Sequence, residues 1–217
     1  MVILNNKFGY YFLLILFICT FCYVRVSSYQ LPLNGKTIYI DPGHGGVDNG
    51  ASYKDIYEDE LNIKVSYELK SELENKGAIV YLTRYDDYDL SNIKAPFRKK
   101  SDLFNRAKLI NESESDMYIS IHLNSISSSK WNGVQIFYDD INKENKIIAQ
   151  IIQDKFNSNR KIKEITDKYM YKRIYKPGVL IELGFISNSE DRNKILSDTK
   201  RQKMVKTIVE GIIEYYK

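Results

Sequence analysis

A chain of 217 residues with 43% hydrophobic and 28% charged side chains holds enough apolar material for one well-buried domain, which excludes a wholly disordered chain. The net charge is only +4, and setting aside Lys7 and Arg25 of the N-terminal segment lowers it further, too little to argue for nucleic acid as a partner. The 18 tyrosines suit a groove that is apolar in body and polar at its edge, although a coding bias toward Lys, Asn and Tyr accounts for them equally well.

The first segment does not belong to the fold. From Tyr10 to Val24 nearly every residue is apolar, with Lys7 before the run and Arg25 after it. About fifteen apolar residues is the upper end of the signal-peptide range and short of the roughly 20 that span a bilayer easily; extending the run to Phe8 reaches the lower limit of a span. Val26 and Ser28 are small enough for processing before Tyr29. Residues 1–28 therefore read as a signal peptide or a membrane anchor, and residues 29–217 as a single exported domain. A buried core helix is the bland alternative, but no polar face interrupts the run. The only cysteines, Cys19 and Cys22, lie in this segment, so any metal in the domain must take His and carboxylate ligands.

Beyond it, short β-rich runs alternate with helical patterns. The first strand is expected at Thr37–Asp41 and runs into Asp41-Pro42-Gly43-His44-Gly45-Gly46. A helix follows from Glu58 to Asn75, with Leu61, Val65, Leu69 and Leu73 at four-residue steps and Gly77 as its stop. Ala78–Thr83 is the next strand, Arg84–Lys100 a loop without period, and Asp102–Asn111 a second helix. A third strand, Met117–Ile121, ends on His122, and Gly133–Tyr138 forms a fourth. Lys143–Phe156 carries Ile147, Ile148, Ile151 and Ile152 as a helix. Arg160–Lys176 is basic and interleaved with Tyr169, Tyr171 and Tyr175; it reads as a solvated helix face or edge strand, or as a contact for an anionic polymer. Val179–Glu182 is the last strand and Thr199–Tyr215 the closing helix. This alternation predicts an α/β fold, a twisted and mostly parallel sheet of about six strands flanked by helices on both faces.

The domain has two histidines, and both follow strands. In open α/β sheets ligands bind at the carboxyl ends of strands, so His44 and His122 can meet there although 78 residues apart in the chain. Glu182 closes a buried apolar run, a costly place for a carboxylate without a task. Glu58 opens the first helix; Asp55-x-x-Glu58 also fits a capping box, in which the carboxylate would serve only its own helix. Two histidines and one glutamate are the ligand set of a catalytic zinc site with a position left open, and a second glutamate is the base such a site still needs.

These motifs, in order with Glu58-Asp59-Glu60-Leu61-Asn62-Ile63, Ser120-Ile121-His122-Leu123-Asn124 and Val179-Leu180-Ile181-Glu182-Leu183-Gly184-Phe185-Ile186-Ser187-Asn188, resemble the type-3 zinc N-acetylmuramoyl-L-alanine amidases from about Lys36 to the C-terminus. The resemblance implies Zn2+ held by His44, Glu58 and His122, Glu182 as the catalytic carboxylate, and an ion-pair or scaffold role for Arg106. It implies peptidoglycan as substrate, cut between muramic acid and L-alanine. Only Ser125–Asn132 stands where cell-separating members insert a blocking helix, and no wall-binding repeat is present. That layout is most similar to the sporulation amidases of the spore cortex, working outside the cytoplasm in the forespore intermembrane space, some with a lipoprotein activator. A vegetative autolysin, another zinc wall hydrolase (peptidase or deacetylase) and a non-catalytic wall-binding protein are the competing readings.

Overall fold

Long apolar runs with β-branched residues form the middle of a six-stranded sheet. The structure, a computed structural model, describes residues 6–27, 31–166 and 169–217. In chain order the sheet strands are β1 (Thr37–Pro42), β4 (Ile79–Leu82), β5 (Met117–Asn124), β6 (Gln135–Tyr138), β7 (Lys163–Glu164) and β8 (Gly178–Phe185). A separate hairpin pairs β2 (Ser52–Tyr53) with β3 (Ile56–Tyr57). The spatial order is β4-β1-β5-β8-β6-β7. Every pairing in this sheet is parallel except β6 with β8, which is antiparallel. All eight residues of β8 are buried, as expected for a central strand covered on both faces.

Edge strand β4 differs from the sequence reading. A sheet flanked by helices on both faces would cover this strand twice, yet Ile79 and Tyr81 are exposed while Val80 and Leu82 are buried. An edge strand has a neighbour on one side only, and one face of β4 stays open to solvent.

Among the described residues six helices accompany the sheet: α1 (Asn6–Ser27), α2 (Glu58–Glu74), α3 (Arg98–Glu112), α4 (Glu144–Lys155), α5 (Ser189–Leu196) and α6 (Asp198–Tyr215). The four-residue steps of α2 bury Leu61, Val65, Leu69 and Leu73 against one sheet face, joined by Ile148 and Ile152 of α4 and Val205, Ile208 and Ile212 of α6. Each such side chain contributes about 1.5–3 kcal/mol when fully buried. The other face is thinner. Ala107 and Ile110 of α3, with Met170, Tyr171 and Ile174 around a short 3-10 turn, cover Tyr39, Tyr118 and Leu180. The basic stretch expected on the surface thus sends part of itself inside; residues 167–168 lie outside the described ones.

The apolar N-terminal run is helical, and Phe8, Leu14 and Phe17 on it are exposed. Among the described residues no helix is long and apolar enough to cross a membrane. The expected processing point between Ser28 and Tyr29 lies outside the described residues.

Candidate active site

The carboxyl ends of β1, β5 and β8 lie side by side, and the loops leaving them build one cleft. After Pro42 the chain turns sharply, with His44 at φ 63° and Gly45 and Gly46 also in the left-handed region. A non-glycine residue there is uncommon and strained by about 1 kcal/mol or more, so surrounding contacts must hold it. Two buried arginines do. Arg84 donates to the carbonyls of Pro42 (3.0 Å), Gly43 (3.1 Å) and Asp59 (2.8 Å). Arg106 donates to the carbonyls of Pro42 (2.8 Å) and His44 (2.6 Å), and to the carboxylates of Asp41 and Asp102 (both 2.9 Å). Burial pushes the Asp41 carboxyl up, but Arg106 and hydrogen bonds from Thr83 and Ser120 outweigh it and hold it below its ordinary range. The scaffold role expected of Arg106 is what these contacts describe.

The loop passes so close to β5 that a Cβ on Gly43 would lie 2.2 Å from the ring of His122, a separation no side chain tolerates. Glycine is required there by that approach.

His122 and Glu182 face each other as register partners on β5 and β8, and the pairing slips between His122 and Asn124. Neither ends its strand, as the sequence reading had it: β5 continues to Asn124 and β8 to Phe185. An irregularity of this kind commonly re-aims side chains next to active sites.

Glu58 sits at the first position of α2, and no side chain caps that helix, so the capping-box alternative falls away. Its carboxylate turns into the cleft instead. Oε2 accepts from the Ala51 N–H (2.8 Å), and Oε1 from the Leu123 N–H (3.0 Å). Oε1 also lies 3.2 Å from Nε2 of His44 and 3.1 Å from Nδ1 of His122. Burial pushes this carboxyl up, yet the two histidines overcome it and hold it far below the usual carboxylate range. For His44, burial lowers the imidazole pKa, and Glu58 and Asp48 outweigh that and raise it.

His44, Glu58 and His122 each offer one donor atom, all within 4.8 Å of one another. Two ligands of a tetrahedral ion at about 2.0–2.1 Å lie roughly 3.3 Å apart, close to both glutamate–histidine separations. Two imidazole nitrogens and a carboxylate oxygen suit zinc. The outer nitrogens are also engaged. Asp48 Oδ2 stands 3.0 Å from Nδ1 of His44, an ion-pair distance at an angle poor for a hydrogen bond. The Tyr171 hydroxyl is 3.3 Å from Nε2 of His122 and 3.0 Å from Ser120 Oγ; burial lifts this phenol well above its ordinary pKa, so it stays neutral. Glu182 lines the same cleft of about 370 Å³, with Lys99 and Leu103 on its rim.

All four site residues named from the sequence therefore border one cleft. Asp48, Arg84 and Tyr171 were not singled out for it. Asp48 stands four residues after His44, a spacing that was legible; nothing local marks Arg84, or distinguishes Tyr171 from its neighbouring tyrosines.

Residues 38–214 match the N-acetylmuramoyl-L-alanine amidase family. The germination-specific N-acetylmuramoyl-L-alanine amidase of Bacillus subtilis (strain 168) is 39% identical, over 94% of this chain and 91% of that one. Among solved structures, the CwlD amidase from Clostridioides difficile in complex with the GerS lipoprotein is similar at a TM-score of 0.79 and 34% identity, over 83% of this chain and 98% of that one. The N-acetylmuramoyl-L-alanine amidase from Clostridium difficile 630 gives 0.73 and 28%, over 84% and 97%.

Proposed function

Because the chain belongs to the N-acetylmuramoyl-L-alanine amidase family, we propose that it removes stem peptides from peptidoglycan of the spore cortex, using zinc held by His44, Glu58 and His122. The observation that carries this reading is the convergence of three donor atoms from three separate elements beside Glu182. The cortex assignment is supported by the germination-specific B. subtilis relative, which matches nearly end to end.

A bound zinc ion supplies Lewis-acid polarisation of the scissile carbonyl and steadies the oxyanion. The protein's own groups do the rest. Glu182 accepts a proton from the attacking water as the water oxygen bonds to the lactyl carbonyl carbon. It then returns that proton to the L-alanine nitrogen as the C–N bond breaks. Arg84 and Arg106 hold the His44 loop in its strained turn, the Tyr171 hydroxyl orients the His122 ring, and the Asp48 carboxylate stands at ion-pair distance behind the His44 ring.

Export fits the exposed apolar helix α1, whose surface calls for a membrane or a processing enzyme rather than water. Residues 1–28 would carry residues 29–217 out of the cytoplasm, to the forespore intermembrane space. A lipoprotein partner is part of the proposal, by analogy with the C. difficile complex.

Mass spectrometry of purified peptidoglycan after digestion tests the reaction: muramic acid should appear without its peptide, and L-alanine as a new free N-terminus. Cuts within the peptide, or loss of acetyl groups alone, would replace this reading with a peptidase or deacetylase. Glu182→Gln should keep zinc and lose about 10²–10⁴-fold in turnover, as removal of a general base does.

A further inference from the structure

A second and larger concavity, about 870 Å³, opens at the same end of the sheet on its opposite face. Successive residues of β8 divide between the two: Glu182 lines the cleft and Leu183 this groove. The loop after β5 does likewise, with Ser125 at the cleft and Lys130 at the groove. Five residues of chain cover at most about 18 Å, so the two openings lie within reach of one polymer.

The groove is basic. Lys130, Lys161, Lys200 and Lys203 line it, whereas its two acidic residues, Glu190 and Asp191, already face Lys194 at 2.8 and 3.7 Å. Arg160, one of the residues lining it, is fixed in place. Its guanidinium stands 4.7 Å from the Trp131 ring and 4.8 Å from that of Phe185, and its Nε donates to the Asn132 carbonyl at 2.9 Å. Its Nη2 is buried with no acceptor among the described residues. A guanidinium held between rings with donors to spare is pre-organised for an oxyanion. Trp131 stays half exposed, an apolar face against which a sugar or peptide can lie.

We propose that this groove is a second substrate site, taking a stem-peptide carboxylate of the same peptidoglycan strand whose amide occupies the cleft. This rests on the amidase reading. The occupant follows from continuity with the cleft and from charge: the polymer threading the cleft bears free carboxylates on each stem, and the groove presents uncompensated cations.

The test uses the full chain. Catalytically silenced Glu182→Gln protein is sedimented with insoluble peptidoglycan stripped of phosphate polymers, with and without Lys200→Glu/Lys203→Glu, two exposed positions, or Arg160→Gln. Removing one charge-assisted hydrogen bond to the carboxylate should weaken binding about tenfold, and circular dichroism checks the fold. In otherwise unaltered enzyme the same substitutions should raise KM on the polymer about tenfold and leave turnover of a soluble single-stem muramoyl peptide unchanged. Equal sedimentation of the charge-reversed and parent proteins overturns the proposal. So does binding that requires phosphate-bearing wall or moves to anionic vesicles. Failure of the amidase reading shows separately, as no release of peptide from the soluble fragment by unaltered enzyme.

Discussion

At the scale of single residues, the site depends on groups one step behind the donors. Outer contacts on metal-binding histidines are typically worth about 10–100-fold in metal affinity. Asp48→Asn and Tyr171→Phe each loosen one ring, at His44 and His122 respectively. Each is expected to lower zinc affinity by about 10–100-fold while the protein stays folded, measured by competition with a chelator. Unchanged affinity in both would confine the structural role to the three donors. Arg106 is a different case, since it is buried against two carboxylates and two backbone carbonyls. Arg106→Ala leaves Asp41 charged and buried, a change that costs about 3–5 kcal/mol. Urea denaturation should register it as a lowered midpoint. The same carboxylate sets an acid limit. The folded pKa of Asp41 lies below its ordinary 3.8, so its contribution is complete above that value and fades as pH falls through the folded one. Unfolding followed between about pH 5 and 2 should show this loss, and Asp41→Asn should flatten it.

At the scale of elements, the turn after β1 and the start of α2 have to meet β5 at close range. Gly43→Ala forces a Cβ into the His122 ring, so the loop must lift away. The expected result is loss of zinc and of turnover, with the far-UV spectrum intact, because the helices that build the core pack elsewhere. By contrast, Leu69→Ala in the middle of α2 opens a cavity in the main core and should cost about 2–5 kcal/mol of stability with zinc stoichiometry retained. The two substitutions separate site geometry from fold stability. Helix α5 shows why some elements escape a reading by periodicity. It has eight residues and only Asp191 and Ile195 buried, too few turns for an apolar stripe to repeat. Its start was marked nonetheless by Asn188, whose side chain accepts from the N–H groups of Glu190 and Asp191.

At the scale of the whole molecule, the proposed export segment and the catalytic domain should be separable. Removing residues 1–28 is expected to leave the unfolding temperature of the remainder unchanged and to shift the protein from the membrane pellet to the supernatant. A drop in that temperature would mean α1 packs on the domain.

The sequence by itself determined the α/β alternation, the four-residue stripe of α2, and the four residues that border the cleft. These are local facts: a His or Glu that interrupts an apolar run, follows one through a Gly-rich loop or opens a helix is visible without knowing what it touches. Tertiary structure decided the rest. That β8 lies beside β5, that β6 returns antiparallel, and that β4 keeps one face in water depend on pairings between distant segments, which no local period encodes. The same holds for Arg84 and Tyr171, and for which groups Arg106 meets, although the resemblance had already implied an ion-pair or scaffold role for it. An arginine or tyrosine in sequence reads as surface chemistry. Only when Arg84 and Arg106 meet the Pro42–His44 carbonyls and Tyr171 meets His122 does burial become more favourable than exposure, because each buried donor then finds the acceptor that water would otherwise have supplied.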